Sequence, residues 1–176
     1  MLTPEQAKSM AAMMLQGIGQ EAGITRKVIA AIPEEQFGFK LGEKGWTAGK
    51  LAWHIVGSEI WFAQSLIDGK FGTEEPPAEP ATVAEILKTY DSVVPELTKK
   101  VGELSAEQLL QPLNFFNVMN MPAVMYLGFW NSHSIHHRGY LAAYLRAMNA
   151  HVPSIYGSSA DEPFQMPAEA PAAAGG

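Results

Sequence analysis

The sequence predicts an all-α fold arranged as a four-helix bundle. Four stretches carry apolar residues at the spacing of one helix face, and three of them begin at a Thr that can cap a helix. No segment alternates apolar and polar residues at the two-residue period of a β-strand. The chain has 176 residues, of which 47% are hydrophobic and 17% are charged, and these values are typical of one globular domain.

The charge balance and the residue usage exclude several classes of function. With 12 basic and 18 acidic residues and a formal net charge of −6, the chain lacks the basic surface of a nucleic-acid-binding protein. Cysteine is absent, which excludes disulfides, thiolate ligands and a cysteine nucleophile. No apolar run is long enough to cross a membrane and no signal peptide is recognisable, so we expect a cytoplasmic protein without membrane or nucleic-acid partners.

The first helix is predicted from its capping signal. Thr3 and Gln6 form a capping box around Pro4, which suits the first helical position. A stripe of apolar residues then continues to Pro33, where the helix should have ended.

The second helix is predicted to start at Thr47, its N-cap, with Trp46 as a hydrophobic staple, and to end near Gly69. Its apolar seam includes His54, which is therefore expected on the buried side. Glu59 lies off that seam and is expected outside the core.

The third helix is predicted to begin at Thr82, which forms a capping box with Glu85, and to be kinked at Pro95. The Pro-rich residues 70–81 before it cannot be helical. A linker of about 12 residues spans up to roughly 40 Å, more than the roughly 34 Å of a 23-residue helix. A long crossover can therefore make the second and third helices parallel.

The last part of the chain is predicted to hold a short capped turn at Ser105, a loop over 114–120 and the fourth long helix. That helix is expected to start at Met121-Pro122 and to end near Ala150. The Pro/Ala/Gly-rich residues 163–176 are expected to be disordered.

The candidate functional residues are histidines. His133 and His137 are four positions apart, so on a helix their rings point to one spot, which is metal-ligand spacing. His54, on the seam of the second helix, is the predicted third ligand. His136 is rotated by about 100° from His137, which indicates a flanking or outer-shell group. Tyr140, one turn from His137, can orient a bound water or substrate.

Other readings of these histidines were weighed against the metal site. Each His can be a core residue that hydrogen-bonds a neighbour, but three on two seams favour one shared cation. Ser134 stands where the zinc-protease pattern H-E-x-x-H has its Glu, so a protease is not expected. The absence of Glu-x-x-His pairs argues against a di-iron bundle. Arg138 is expected at the bundle edge, where it pairs with a carboxylate or a carbonyl.

Three imidazoles leave a fourth position of the cation free, as in catalytic sites. Zn²⁺ and Ni²⁺ both suit imidazole ligands, and the sequence does not choose between them. If the three rings share one ion, with bonds of roughly 2.1 Å, the ring of His54 must lie within about 8 Å of the other two.

The chain resembles the DinB family of metal-dependent bundles, also called DinB/YfiT-like, over about residues 1–162. The chain has Tyr140 where the family typically has Gln. The residues that carry the resemblance are Trp46-Thr47 with His54, the run His133-Ser-Ile-His136-His137-Arg138-Gly139, and Val152-Pro153-Ser154-Ile155-Tyr156-Gly157 followed by Ala160-Asp161.

The resemblance implies an up-down-down-up bundle, a divalent metal on His54, His133 and His137, and frequently a homodimer. Related bundles transfer low-molecular-weight thiols or use the metal in isomerisation and hydrolysis. The first functional hypothesis is therefore an enzyme whose metal activates a thiol or water for attack on a small electrophile. The alternatives are a non-catalytic metal-dependent binding or stress-response module, and a plain helical scaffold.

Overall fold

The computed structural model describes residues 2–73 and 78–164. Pro76 and Pro77 of the predicted linker lie outside the described residues, as does the predicted disordered tail except Pro163 and Phe164, which are exposed. The elements follow one another as α1 (Pro4–Ala30), a 3-10 turn (Glu34–Gln36), α2 (Ala48–Asp68), α3 (Val83–Gly102), α4 (Ala106–Leu110), β1 (Pro112–Phe115), β2 (Met119–Pro122), a 3-10 turn (Ala123–Met125) and α5 (Tyr126–Ala147).

The four long helices form a four-helix bundle, as predicted. α1 packs against α3 and α5, and α2 packs against the same two helices. The up-down-down-up direction of the four helices stays a prediction. None of the helices within the described residues has the length and apolar character needed to cross a membrane.

The helix ends lie close to the predicted ones because side chains near in sequence set them. Thr3 and Gln6 make the complete capping box, and the hydroxyl of Thr47 accepts a hydrogen bond from the backbone N–H of Lys50. α2 ends at Gly69, whose φ of 68° is a left-handed conformation that glycine adopts without strain. Short capping side chains thus decide where these helices begin and end.

The start of α3 differs in one detail from the prediction. Thr82 caps the helix by accepting from the backbone N–H of Glu85, but the Glu85 carboxylate accepts from the N–H of Ala81. The capping box is therefore made only in part. Pro95 lies inside α3, which continues past it to Gly102.

A β-hairpin replaces the loop predicted over 114–120, so the expectation of a chain without strands was wrong at this point. β1 and β2 pair antiparallel, with Leu113 opposite Met121. The turn between them uses positive φ angles of 51° at Phe116 and 60° at Asn117. The last helix accordingly begins at Tyr126 and not at Met121-Pro122, and it ends at Ala147 instead of near Ala150.

The apolar core falls into two clusters with a polar layer between them. Along α5 one cluster ends at Trp130 and the other begins at Leu141. Along α2 the corresponding residues are Val56 and Phe62. The stretch of α5 between the clusters carries two of the three candidate histidines, so the fold places them in the middle of the bundle.

Candidate metal centre

Contacts between α2 and α5 run in opposite order along the two helices. The ring of His54 contacts that of His137, whereas Phe62, two turns later on α2, contacts His133 and Phe129, which come earlier on α5. These opposed contacts place His54 at the same depth of the bundle as the pair on α5.

The rings of His54, His133 and His137 form one compact group. Their centroids lie 5.1 Å apart for His54 and His133, 4.5 Å for His54 and His137, and 4.4 Å for His133 and His137. Each ring is half-buried, and one nitrogen of each lies within 4.8 Å of the others. All three distances are well inside the limit of roughly 8 Å set by metal ligation.

The donor set and its spacing suit a divalent cation. Nε2 of His54 and Nε2 of His137 lie 3.3 Å apart. Two metal–nitrogen bonds of about 2.0–2.1 Å at a tetrahedral angle separate their nitrogens by roughly 3.3–3.4 Å. In addition, Nδ1 of His133 and Nδ1 of His137 are buried and have no hydrogen-bond partner among the described residues. The three imidazoles therefore fit the group, and metal binding itself stays a prediction.

The surroundings keep these imidazoles uncharged. Burial lowers the pKa of His54, His133 and His137 from 6.5 to about 4, and in each case a neighbouring histidine lowers it further. At neutral pH all three rings are neutral and have a lone pair to give to a metal.

Trp46 forms one wall of the site. Its indole ring packs edge-on against His54 at 4.8 Å and lies stacked near His137 at 6.5 Å. The hydroxyl of Tyr144 donates to the carbonyl of Trp46 at 3.0 Å and so fixes this loop to α5. The ammonium of Lys50 lies 5.7 Å from the Trp46 ring. The sequence predicted Trp46 only as a staple, and its contact with two candidate ligands was missed.

The other two predicted site residues lie at the margin. His136 is exposed, and its ring centroid is 4.9 Å from that of His137, so it flanks the group. Tyr140 is 42% exposed, and the ring contact that the structure gives it is with Tyr144, 5.1 Å away. A role for either residue beside a bound metal stays a prediction.

Arg138, which the sequence predicted at the bundle edge, is 1% exposed. Its guanidinium pairs with the carboxylate of Glu21 at 2.6 Å and donates to the backbone carbonyl of the same residue at 3.2 Å. It also donates to the hydroxyls of Tyr156, at 2.6 Å, and Thr25, at 3.3 Å. The predicted pairing with a carboxylate or carbonyl is present, but in the interior, where it joins α1, α5 and the C-terminal segment.

Glu59 was predicted outside the core and is 3% exposed. Burial raises its pKa to about 7, although Ser134, Tyr90 and Arg138 each act to lower it. A signal for this position was available only in part: polar residues on α5 between two apolar stretches indicate a polar layer, but not which residue of α2 faces it.

The fold and the site together define a class of helical-bundle protein with a three-histidine candidate metal centre. The chain belongs to the DinB family, whose model matches residues 1–167. It is 28% identical over 155 residues to YrdA from Bacillus subtilis (strain 168), described as an uncharacterized protein; the match covers 86% of this chain and 90% of YrdA.

Solved structures of similar proteins have the same fold. A DinB-like protein from Bacillus cereus ATCC 10987 is 27% identical, covers 81% of this chain and 95% of its own, and has a TM-score of 0.68. The DinB-like protein YjoA from Bacillus subtilis is 21% identical, with coverage of 81% and 97% and a TM-score of 0.67. YfiT from Bacillus subtilis, described as a probable metal-dependent hydrolase with an unusual four-helix bundle topology, is 17% identical, with coverage of 85% and 91% and a TM-score of 0.58.

Proposed function

We propose that this protein is a metal-dependent enzyme in which His54, His133 and His137 hold one divalent cation, Zn²⁺ or Ni²⁺. The reaction is attack of an activated water or thiol on a small electrophilic substrate, as in a hydrolase or a thiol S-transferase. The observation that carries the proposal is the convergence of three half-buried, neutral imidazoles from two helices on one point.

The residues present supply the other requirements of such a site. A divalent cation on imidazole ligands supplies the chemistry, because it lowers the pKa of a water or thiol toward neutrality. Three protein ligands leave room for one small molecule at a four-coordinate ion. The aromatic rings of Trp46 and Phe62 pack against the histidines and keep bulk water from part of the site.

The description of YfiT as a probable metal-dependent hydrolase supports the hydrolytic form of the proposal. The thiol co-substrate, a homodimer and a cytoplasmic location belong to the proposal through the family resemblance. Substrate binding in this view needs no nucleic acid and no membrane.

The experiment compares untagged wild-type protein with His137→Ala and with His151→Ala as a matched control. His151 is exposed and pairs with Glu162, away from the triad. Metal content is measured by elemental analysis, and turnover with a panel of activated esters and of electrophiles offered with small thiols.

Wild type and the His151 variant should contain about one equivalent of metal per chain and turn over the same substrates. His137→Ala should lose both properties while it keeps its helical circular dichroism. Turnover that survives in metal-free His137→Ala would contradict the proposal. Metal binding without turnover across the panel would instead favour the non-catalytic binding module.

A further inference from the structure

Five buried side-chain polar atoms have no hydrogen-bond partner among the described residues, and they fall into two adjacent groups. Two are the Nδ1 atoms of His133 and His137 in the candidate metal centre. The other three are Glu59 Oε2, Ser134 Oγ and Arg138 Nε. Folded interiors leave few such atoms unpaired, so a cluster of three needs an explanation.

The second group is attached to the first through the backbone. Ser134 directly follows His133, and Arg138 directly follows His137. Glu59 comes five residues after His54 on α2, about 7.5 Å further along the helix axis. Every helix that supplies a candidate ligand therefore also supplies a member of the unpaired cluster.

The charges around Glu59 leave its carboxyl without a counter-ion of its own. Arg138 is already paired with Glu21 from α1 at 2.6 Å, and the three imidazoles are neutral. The groups that act on the Glu59 carboxyl from the helices packed around it are the hydroxyl of Tyr90 on α3 and, on α5, the hydroxyl of Ser134 and the guanidinium of Arg138. On α1, the charged Glu21 and the hydroxyl of Thr25 bind Arg138.

Burial accordingly raises the pKa of Glu59 to about 7, which leaves the carboxyl partly protonated at neutral pH. The histidines, with pKa values of about 4, hold almost no protons at that pH. A positive charge brought to the triad would favour the ionised form of this buried carboxyl.

We propose that Glu59 is the buried counter-charge of the metal centre, ionised when a dication occupies the three histidines. On metal binding the O–H bond of the Glu59 carboxyl breaks and the proton passes to solvent, so that the carboxylate offsets one of the two added charges. This inference rests on the proposed metal site. By linkage, each tenfold gain in metal affinity caused by ionisation of Glu59 equals a drop of one unit in its pKa.

The test is calorimetric titration of the metal-free protein with Zn²⁺ at about pH 7, in buffers of different ionisation enthalpy, which counts the protons released. Wild type should release about half a proton more than Glu59→Gln, since a carboxyl at its pKa is half protonated. Asp68→Asn, which removes an exposed carboxylate at the end of α2, should match wild type. The Zn²⁺ affinity of wild type should rise about tenfold or more between about pH 6 and pH 8, more steeply than that of Glu59→Gln.

The outcomes separate this inference from the proposed function. Tight Zn²⁺ binding with equal proton release in wild type and Glu59→Gln would overturn the counter-charge and leave the metal site intact. A failure of wild type to bind Zn²⁺ or Ni²⁺ would overturn both.

Infrared difference spectra of wild type alone provide a second test, which does not depend on folding of the variant. The C=O absorption of a protonated carboxylic acid should decrease when Zn²⁺ is added. An unchanged band would overturn the proposal.

Discussion

Nε2 of His54 and Nε2 of His137 lie 3.3 Å apart, although 83 positions separate the two residues in the chain. That separation is close to the roughly 3.3–3.4 Å expected for two nitrogens on one tetrahedral ion. The bundle therefore holds these rings near ligand geometry through its own packing, and a metal would need little rearrangement to bind. The following predictions test this arrangement and the contacts that support it.

Metal should stabilise the folded protein. A free Zn²⁺ concentration 100 times the dissociation constant adds about 2.7 kcal/mol to the free energy of unfolding, which raises Tm by roughly 5–10 °C for a domain of this size. Thermal melts with Zn²⁺ and with chelator measure the shift. His54→Ala should show no metal-dependent shift, whereas His151→Ala should show the full one. A full shift in His54→Ala would mean that the ion binds elsewhere.

The metal-free protein should lose stability with acid through the three histidines. Their pKa in the folded state, about 4, lies below the ordinary 6.5, so between these values the unfolded chain binds more protons than the folded one. The stability that they contribute is complete above about pH 6.5 and is lost as the pH falls toward about 4. Urea unfolding of chelated wild type across this range should show a steeper fall than that of His54→Leu. Parallel curves would contradict the neutral, desolvated state of His54.

Two glycines of α2 should respond oppositely to alanine. A Cβ on Gly49 would overlap the ring of Phe37, so Gly49→Ala should lower the free energy of unfolding by about 1–3 kcal/mol. A Cβ on Gly57 meets no atom within 4 Å, and Gly57→Ala should raise it by up to about 1 kcal/mol through helix propensity. Denaturant titrations of both variants measure the difference. Equal effects would show that Phe37 does not pack over Gly49.

The buried ion pair of Arg138 should be costly to break from one side. Arg138→Met leaves the Glu21 carboxylate without its partner and should lower the free energy of unfolding by about 3–5 kcal/mol. The double variant Glu21→Gln with Arg138→Met should be more stable than Arg138→Met alone, because no unpaired charge remains. Chemical denaturation of the single and double variants measures this. A double variant that is no better would mean that lost packing, not lost pairing, causes the effect.

The helix limits and the histidine group could be predicted because both depend on residues close in sequence. A Thr hydroxyl caps an N–H three positions later, and His133 and His137 share a face because they are four positions apart. His54 could be added because it lies on the apolar seam of its own helix. In each case the information lies within one or two helical turns.

The hairpin could not be predicted because its strands have four residues each and its turn lacks glycine. Phe116 and Asn117 adopt positive φ without that signal. What holds the hairpin is tertiary: the hydroxyl of Tyr126 donates to the carbonyls of Leu113, at 2.8 Å, and Met119, at 3.3 Å. Sequence periodicity does not contain such contacts.

The burial of Glu59 and Arg138 was missed for a related reason. Charged residues are rarely buried unless they are paired. The partner of Arg138 is Glu21, on another helix and 117 positions earlier in the chain. The polar groups that act on Glu59 likewise come from α3 and α5. Only the assembled bundle shows that these side chains have a place in its interior.

The distribution of the three histidines over α2 and α5 alone has a consequence for local opening. An ion bound there is a reversible crosslink between residues 83 positions apart, and it shortens the free chain wherever it stays attached. α1 and α3 carry no candidate ligand and can separate from the bundle without breaking that link. Amide hydrogen exchange should therefore slow more in α2 and α5 than in α1 and α3 when Zn²⁺ is added.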